Sequence, residues 1–256
     1  MAPPTDPGAL HVHGLGYDSR REVLYVATHN GLFAAGQGEQ RLRRVGKTRH
    51  DTMGFMRTRT GVLLASGHPA ADSSDPPHLG LLRSTNDGQS WTPVSLAGES
   101  DLHAIRAAGR LVYAYDAARN RMLASTDDGA SWTAWAVPEA FVDIAVDPSN
   151  PRHLAAAGAN AIYESLDGAR SWRPVAAGVS GWLAWPRREL IYVLDFSGAV
   201  LRGTLGEAQW RKVGSTGNQP TAFHAVNARH LFAAIHDGTI KESVDAGTTW
   251  TVRARP

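Results

Sequence analysis

The chain carries eleven histidines and no cysteine. Without thiols, disulfides, zinc ribbons, thiolate nucleophiles and iron–sulfur ligation are excluded together. Neutral imidazole is the commonest metal-binding side chain, and with carboxylates it suits Zn, Cu, Fe, Ni or Mn. The histidines recur in similar surroundings. Several open apolar runs, as in HVHGLGY from His11, RHDTMGF around His50, LHAIRAA around His103 and FHAVNA around His224. Others close such runs, as in VLYVATH at His29, VLLASGH at His68 and HLFAAIH at His236. No linear ligand signature such as HExxH is present, so any site must be assembled by the fold.

The assembling elements come from a repeat. One octapeptide recurs as STNDGQSW (Ser84–Trp91), STDDGASW (Ser125–Trp132), SLDGARSW (Ser165–Trp172) and SVDAGTTW (Ser243–Trp250). The starts are 41, 40 and 78 residues apart, and the last interval is two units of 39. The missing copy is GTLGEAQW, ending at Trp210, and AGQGEQRL, ending at Leu42, is an equally degenerate first copy. The pattern encodes a turn: Asp or Asn bonds backbone N–H groups, Gly takes a positive φ, and Trp packs beneath. The third copy departs, with Gly168 one place early.

Between copies, each unit holds runs of alternating or β-branched apolar residues, the period of half-buried strands. Innermost strands are expected at HVHGLGY, HDTMGFM, LHAIRAA, FVDIAVD, GWLAWP and FHAVNA, and second strands at VLYVATH, VLLASGH, LVYAYD, HLAAAGA, LIYVLDF and HLFAAIH. Third strands such as GLFAA, GLLRST and GTIKESV lead into the octapeptide, which makes four strands per unit. The expectation is an all-β, six-bladed β-propeller with four-stranded antiparallel blades, one domain spanning 1–256. Its blades fall near 10–46, 47–97, 98–138, 139–177, 178–215 and 216–256. The last unit keeps its own outer strand, TTWTVRARP, so the ring is expected to close by packing of the first and last blades through Leu15, Tyr17, Val226 and Phe232.

Superposing the units sets His13, Thr52, His103, Asp143, Gly181 and His224 at equivalent positions, with His11 two residues before His13 and His50 and Asp51 opening the second blade. The second strands end at His29, His68, Tyr115 with Asp116, Ala159, Asp195 with Phe196, and His236. In a propeller these two sets of positions lie on one face. His11, His13, His29, His50, His68, His103, His224 and His236 therefore share that face, and His78 joins them through the inserted loop Ser66–Gly80. Only His153 and His230 fall at the opposite turns. Those eight are the expected ligands of a transition metal ion (Cu, Zn, Fe or Mn), with Asp143 or Asp116 as ligand or base and Tyr115 beside them.

The octapeptide resembles the Asp-box, or BNR repeat, of sialidases, sortilin-type receptors and photosystem II assembly propellers. The segments HVHGLGYD, YVATHNGLF, RHDTMGF, SGHP and PPHLGL are similar to a bacterial group of Asp-box propellers labelled glycosyl hydrolase or exo-sialidase-like. The resemblance implies that the boxes join outer strands on the rim away from the active face, so that Asp87, Asp127, Asp167 and Asp245 are structural. It also implies what sialidase chemistry would need: three arginines, a Tyr and Glu pair and an acid. Tyr115 and Asp116 match part of that set, but no Glu accompanies them and no Arg occupies the aligned positions. Paired carboxylates for glycoside hydrolysis would have to come from Asp143, Asp116, Asp195 and Asp51.

The leading expectation is a metal-dependent enzyme acting on a small molecule. The alternatives are a noncatalytic metal-binding protein, a sialidase-like glycoside hydrolase and a protein- or peptide-binding scaffold. With 26 Lys and Arg against 24 Asp and Glu, and no basic stripe, nucleic acid is not an expected partner. No apolar run reaches bilayer length, and MAPPTDPGAL has neither a basic nor an apolar signal region. A monomer without membrane insertion is expected, cytoplasmic as it stands, or extracellular or periplasmic if a signal peptide has been removed.

Overall fold

The computed structural model describes residues 8–9, 11–207 and 209–256. The described residues form 24 strands in six four-stranded antiparallel sheets, each from one contiguous stretch of chain, and no helix. The architecture is the expected six-bladed β-propeller. None of it offers a helix long and apolar enough to cross a membrane. The innermost strands are Val12–Asp18, Asp51–Arg57, Leu102–Ala108, Asp143–Asp147, Trp182–Arg187 and Pro220–Ala225. The last begins three residues before the expected Phe223, because a strand can begin on proline, which has no N–H to donate to a ladder.

Each second strand lies between the neighbouring blades and is apolar on both faces, as in the fully buried runs Leu190–Leu194 and Leu231–Ile235. Outermost strands such as Thr92–Ser95 and Thr133–Ala136 have no fully buried residue. Six apolar clusters result, each shared by two adjacent blades, so the core is a ring of interfaces. The first and last blades meet through Leu15, Tyr17, Val226 and Phe232, as expected, with the Tyr17 and Phe232 rings 5.0 Å apart. A short parallel bridge between Arg41 and Arg255 and two hydrogen bonds from Arg253 to the carbonyls of Glu39 (2.8 Å) and Gly36 (2.6 Å) fasten the same seam.

The octapeptides form one repeated turn. In the second copy the Ser125 hydroxyl donates to Asp127 (2.7 Å) and accepts from Gly129 N–H (2.9 Å), while Asp127 accepts from Ser131 N–H (2.9 Å). Gly129, at φ +85°, lies so close to the preceding blade that a Cβ there would meet Leu81 at 2.2 Å. The third copy keeps these bonds with Ala169 in the glycine place, at φ +72°, and Gly168 in the place before it, at φ +79°. The early glycine therefore changes which residue fills each left-handed position and leaves the turn intact. The turns bear on stability: they seat Trp91, Trp132, Trp172 and Trp250 against the clusters between blades.

Candidate metal centre

A β-bulge near the start of four innermost strands decides which residues face one another. In blade 1, Val12 pairs with Thr28 and Gly14 with Ala27, leaving His13 as the extra residue. The same irregularity isolates Met53 in blade 2, His103 in blade 3 and Thr221 in blade 6. Bulges bend a strand and re-aim a side chain. The register corrects the superposition made from sequence: Met53, not Thr52, is equivalent to His13 and His103, and His224 stands three residues beyond its bulge. Two residues before each bulge come His11, Asp51, Asp101 and Gln219. Opposite them, at the ends of the second strands, stand His29, His68, Ala117 and His236.

These positions converge in an arc over blades 6, 1, 2 and 3. The His236 and His11 rings are 6.0 Å apart, His11 and His29 5.1 Å, and His29 and His13 4.4 Å. His29 Nδ1 lies 2.8 Å from Asp51 Oδ2, and His13 Nε2 lies 3.7 Å from Asp51 Oδ1. His68 comes next, with Nδ1 3.6 Å from Asp51 Oδ2 and Nε2 3.5 Å from Asp101 Oδ1. Asp101 Oδ2 is hydrogen-bonded to His103 Nε2 at 3.0 Å, and the His78 ring is 5.6 Å from that of His68.

Two groups in the arc offer ligand atoms within 4.8 Å of one another: His13, His29 and Asp51, and His68, His78 and Asp101. His13 Nε2, Asp51 Oδ1, His78 Nδ1 and Asp101 Oδ1 are buried and make no hydrogen bond among the described residues. Burial, reinforced by the nearby His29, pulls the His13 pKa from 6.5 down to about 4, so its imidazole is neutral at pH 7. Burial raises the Asp101 carboxyl, but the His103 hydrogen bond and the surrounding imidazoles outweigh it and hold its pKa below the ordinary value. A neutral imidazole beside an ionised carboxylate is the form in which both bind a cation.

Backbone contacts fix the arc from outside. Leu79 N–H donates to the Gly67 carbonyl (2.9 Å) and Gly98 N–H to the His78 carbonyl (2.7 Å), so the inserted loop carries His78 to the site in a set position. His11 adopts a left-handed backbone at φ +52°, which a non-glycine residue holds at a cost of about 1 kcal/mol. Strain of this kind is often stored at functional sites.

The other predicted residues lie elsewhere. His224 lies inside the channel, where burial, with the charge of Arg106, lowers its pKa to about 4. His50 is 3.9 Å from Asp75 of the inserted loop, and burial lowers its pKa despite that carboxylate. Asp143 is buried and engaged by Arg106 (2.6 Å), Ile144 N–H (2.8 Å) and Leu183 N–H (2.9 Å). Asp116 is fully buried, bonded to Arg121 (2.9 Å) and to Asp101 N–H (3.2 Å), and Tyr115 donates to Asn120 (2.8 Å). On the far side, His153 is held between Asp147 and Glu164, and His230 by Glu242.

Sequence reasoning left Asp51, Asp101 and His78 out of the ligand set. Asp101 had a legible signal, since it precedes His103 by two residues as His11 precedes His13. Asp51 did not, because its equivalence to His11 appears only once the bulge is counted. Beside the arc the channel opens into a cavity of about 220 Å³ lined by His13, His103, Arg106, Asp143, Trp182 and His224, among others. A small molecule there would lie against His13 and His103 of the arc.

No family model matches the chain, and no curated protein does. Solved structures do. The chain is similar to a chain of a nidogen/laminin complex, at 12% identity and a TM-score of 0.69, covering 91% of this chain and 93% of that one. It is similar to an ancestral GH74 enzyme at 13% identity and a TM-score of 0.64, covering 98% of this chain and 39% of the enzyme, so it spans well under half of that protein. It is also similar to YCF48 from Cyanidioschyzon merolae, at 15% identity and a TM-score of 0.57, covering 96% of this chain and 85% of YCF48. At these identities the likeness is one of fold.

Proposed function

We propose that the histidine and aspartate arc holds a transition metal ion that acts on a small organic molecule in the channel. The observation that carries this reading is the set of buried ligand atoms, His13 Nε2, Asp51 Oδ1, His78 Nδ1 and Asp101 Oδ1, that make no hydrogen bond yet converge. Leaving such a group unsatisfied costs about 1–3 kcal/mol each, more for a charge, and a cation would satisfy several at once. Three protein ligands leave a coordination position open, as catalysis requires. His13 also lines the cavity, so an ion held by His13, His29 and Asp51 would stand beside the space a substrate would fill. The ion would serve there as Lewis acid or as activator of water.

The glycoside hydrolase reading rests on the likeness to the GH74 enzyme. Against it, Asp116 and Asp143 are held by Arg121 and Arg106, and Asp51 and Asp101 are hemmed in by imidazoles. Protein purified without a nickel column and stripped with chelator should bind Zn²⁺ or Cu²⁺ with a Kd of micromolar or below, at least tenfold weaker in Asp51→Asn. Absence of binding would overturn the metal reading. Azide added to the Co²⁺-loaded protein should change its visible spectrum if a position is open. An unchanged spectrum would favour a noncatalytic metal-binding protein, and cleavage of aryl glycosides by stripped protein would favour the hydrolase.

A further inference from the structure

The two ligand groups share a neighbour, His68. It is a member of the second group, its Nε2 lies 3.5 Å from Asp101 Oδ1, and it presents its Nδ1 to Asp51 of the first at 3.6 Å. Neither contact is a hydrogen bond, and each carboxylate has an oxygen without a hydrogen-bond partner. An imidazole that satisfies one carboxylate normally donates to it at about 2.8 Å. His68 instead stands between two carboxylates without a hydrogen bond to either, its ring 5.6 Å from that of His78, while His13 Nε2 lies 3.7 Å from the same Asp51. Asp101 Oδ1 is itself shut off from solvent, which makes that oxygen costly to leave without a cation.

We propose that the arc binds two metal ions at once, one at His13, His29 and Asp51 and one at His68, His78 and Asp101, with the His68 ring bridging them. The inference rests on the metal reading above and adds the second ion and the bridge. In the bridged form each ring nitrogen gives its lone pair to one ion. Two nitrogen–metal bonds form, one N–H bond breaks, and the proton leaves to solvent with no change of oxidation state. All ligands are imidazole or carboxylate, so the ions are of the class that includes Cu²⁺ and Zn²⁺, with Cu²⁺ bound tightest among the divalent ions of its row.

The test is titration of the stripped full chain with Cu²⁺, followed by calorimetry and electron paramagnetic resonance. Two equivalents should bind, and the signal should grow with the first and shrink with the second as the two spins couple through the ring. His68→Ala should bind one equivalent with its full, uncoupled signal, and Asp101→Asn, which keeps the ring, should also lose the second ion. If His68→Ala does not fold, Asp101→Asn alone decides the second site, and the wild-type signal decides the bridge. Binding of a single equivalent by wild type would overturn the two-ion proposal and leave the metal reading standing. Two equivalents with undiminished signal would overturn the bridge, and no binding would overturn both.

Discussion

His224 shows what a single residue in this channel does to stability. Its imidazole titrates near 4 in the folded chain and near 6.5 when unfolded. Between those values the unfolded chain binds the extra proton, so the residue destabilises the fold as pH falls from 6.5 towards 4 and has no effect above 6.5. The full shift corresponds to about 3 kcal/mol as an upper bound, reduced because the ring faces channel water. Chemical denaturation in chelator at pH 7.5 and pH 5 should show wild type losing about 1–2 kcal/mol more than His224→Gln over that interval. Equal losses would mean that His224 is not held neutral by its surroundings. His13, whose pKa is also about 4, adds a loss of the same sign to both proteins and cancels in the comparison.

At the scale of the element, the strands and turns were legible from sequence, and the site was legible only in part. Apolar runs marked the strands, continuous where a second strand buries both faces, and the octapeptides marked the turns because their bonds are local in sequence. The bulges left no such mark. An extra residue in one strand is defined by what it fails to pair with, so Thr52 was superposed where Met53 belongs and His224 where Thr221 does. The ends of the second strands, with no bulge of their own, placed His29, His68 and His236 correctly on the arc side. Gly67 tests this layer. At φ +148° it lies so close to the Asp51 backbone that a Cβ would meet the Asp51 carbonyl oxygen at 1.8 Å. Gly67→Ala should cost about 2 kcal/mol or more and weaken metal binding at least tenfold by moving Asp51 and His68 apart. Gly109→Ala is the control, because its φ is +62° but nothing lies within 4 Å of an added Cβ. It should cost about 1 kcal/mol and leave binding unchanged. Equal effects on binding would mean that strain anywhere, rather than the Asp51 contact, controls the site.

At the scale of the molecule, the ring is held by six similar interfaces, and among the described residues no strand crosses from one end of the chain to complete a blade at the other. Among the described residues, the seam between the first and last blades is not spanned by the backbone, yet its cluster contains the fully buried Leu24, Phe232 and Ile240 and is of the same kind as the others. Ala9 and Pro256 both lie against Gly238, so the two ends of the described chain meet on one surface. If packing rather than chain continuity closes the ring, the opening can be moved. A circular permutant that joins residue 256 to residue 8 through a short flexible linker and opens between Pro138 and Glu139, in the loop between blades 3 and 4, should fold to the same ring. The loop-closure difference is small, and the stability should fall within about 1–2 kcal/mol of the parent. Metal binding should be retained, because all residues of the two ligand groups lie on blades 1 to 3 or in the loop inserted in blade 2. Thermal unfolding with metal titration of parent and permutant reads both effects. A permutant that binds metal but melts far below the parent would show that the link between blades 3 and 4 holds more of the ring than its packing does, and loss of both would show that closure depends on where the chain begins.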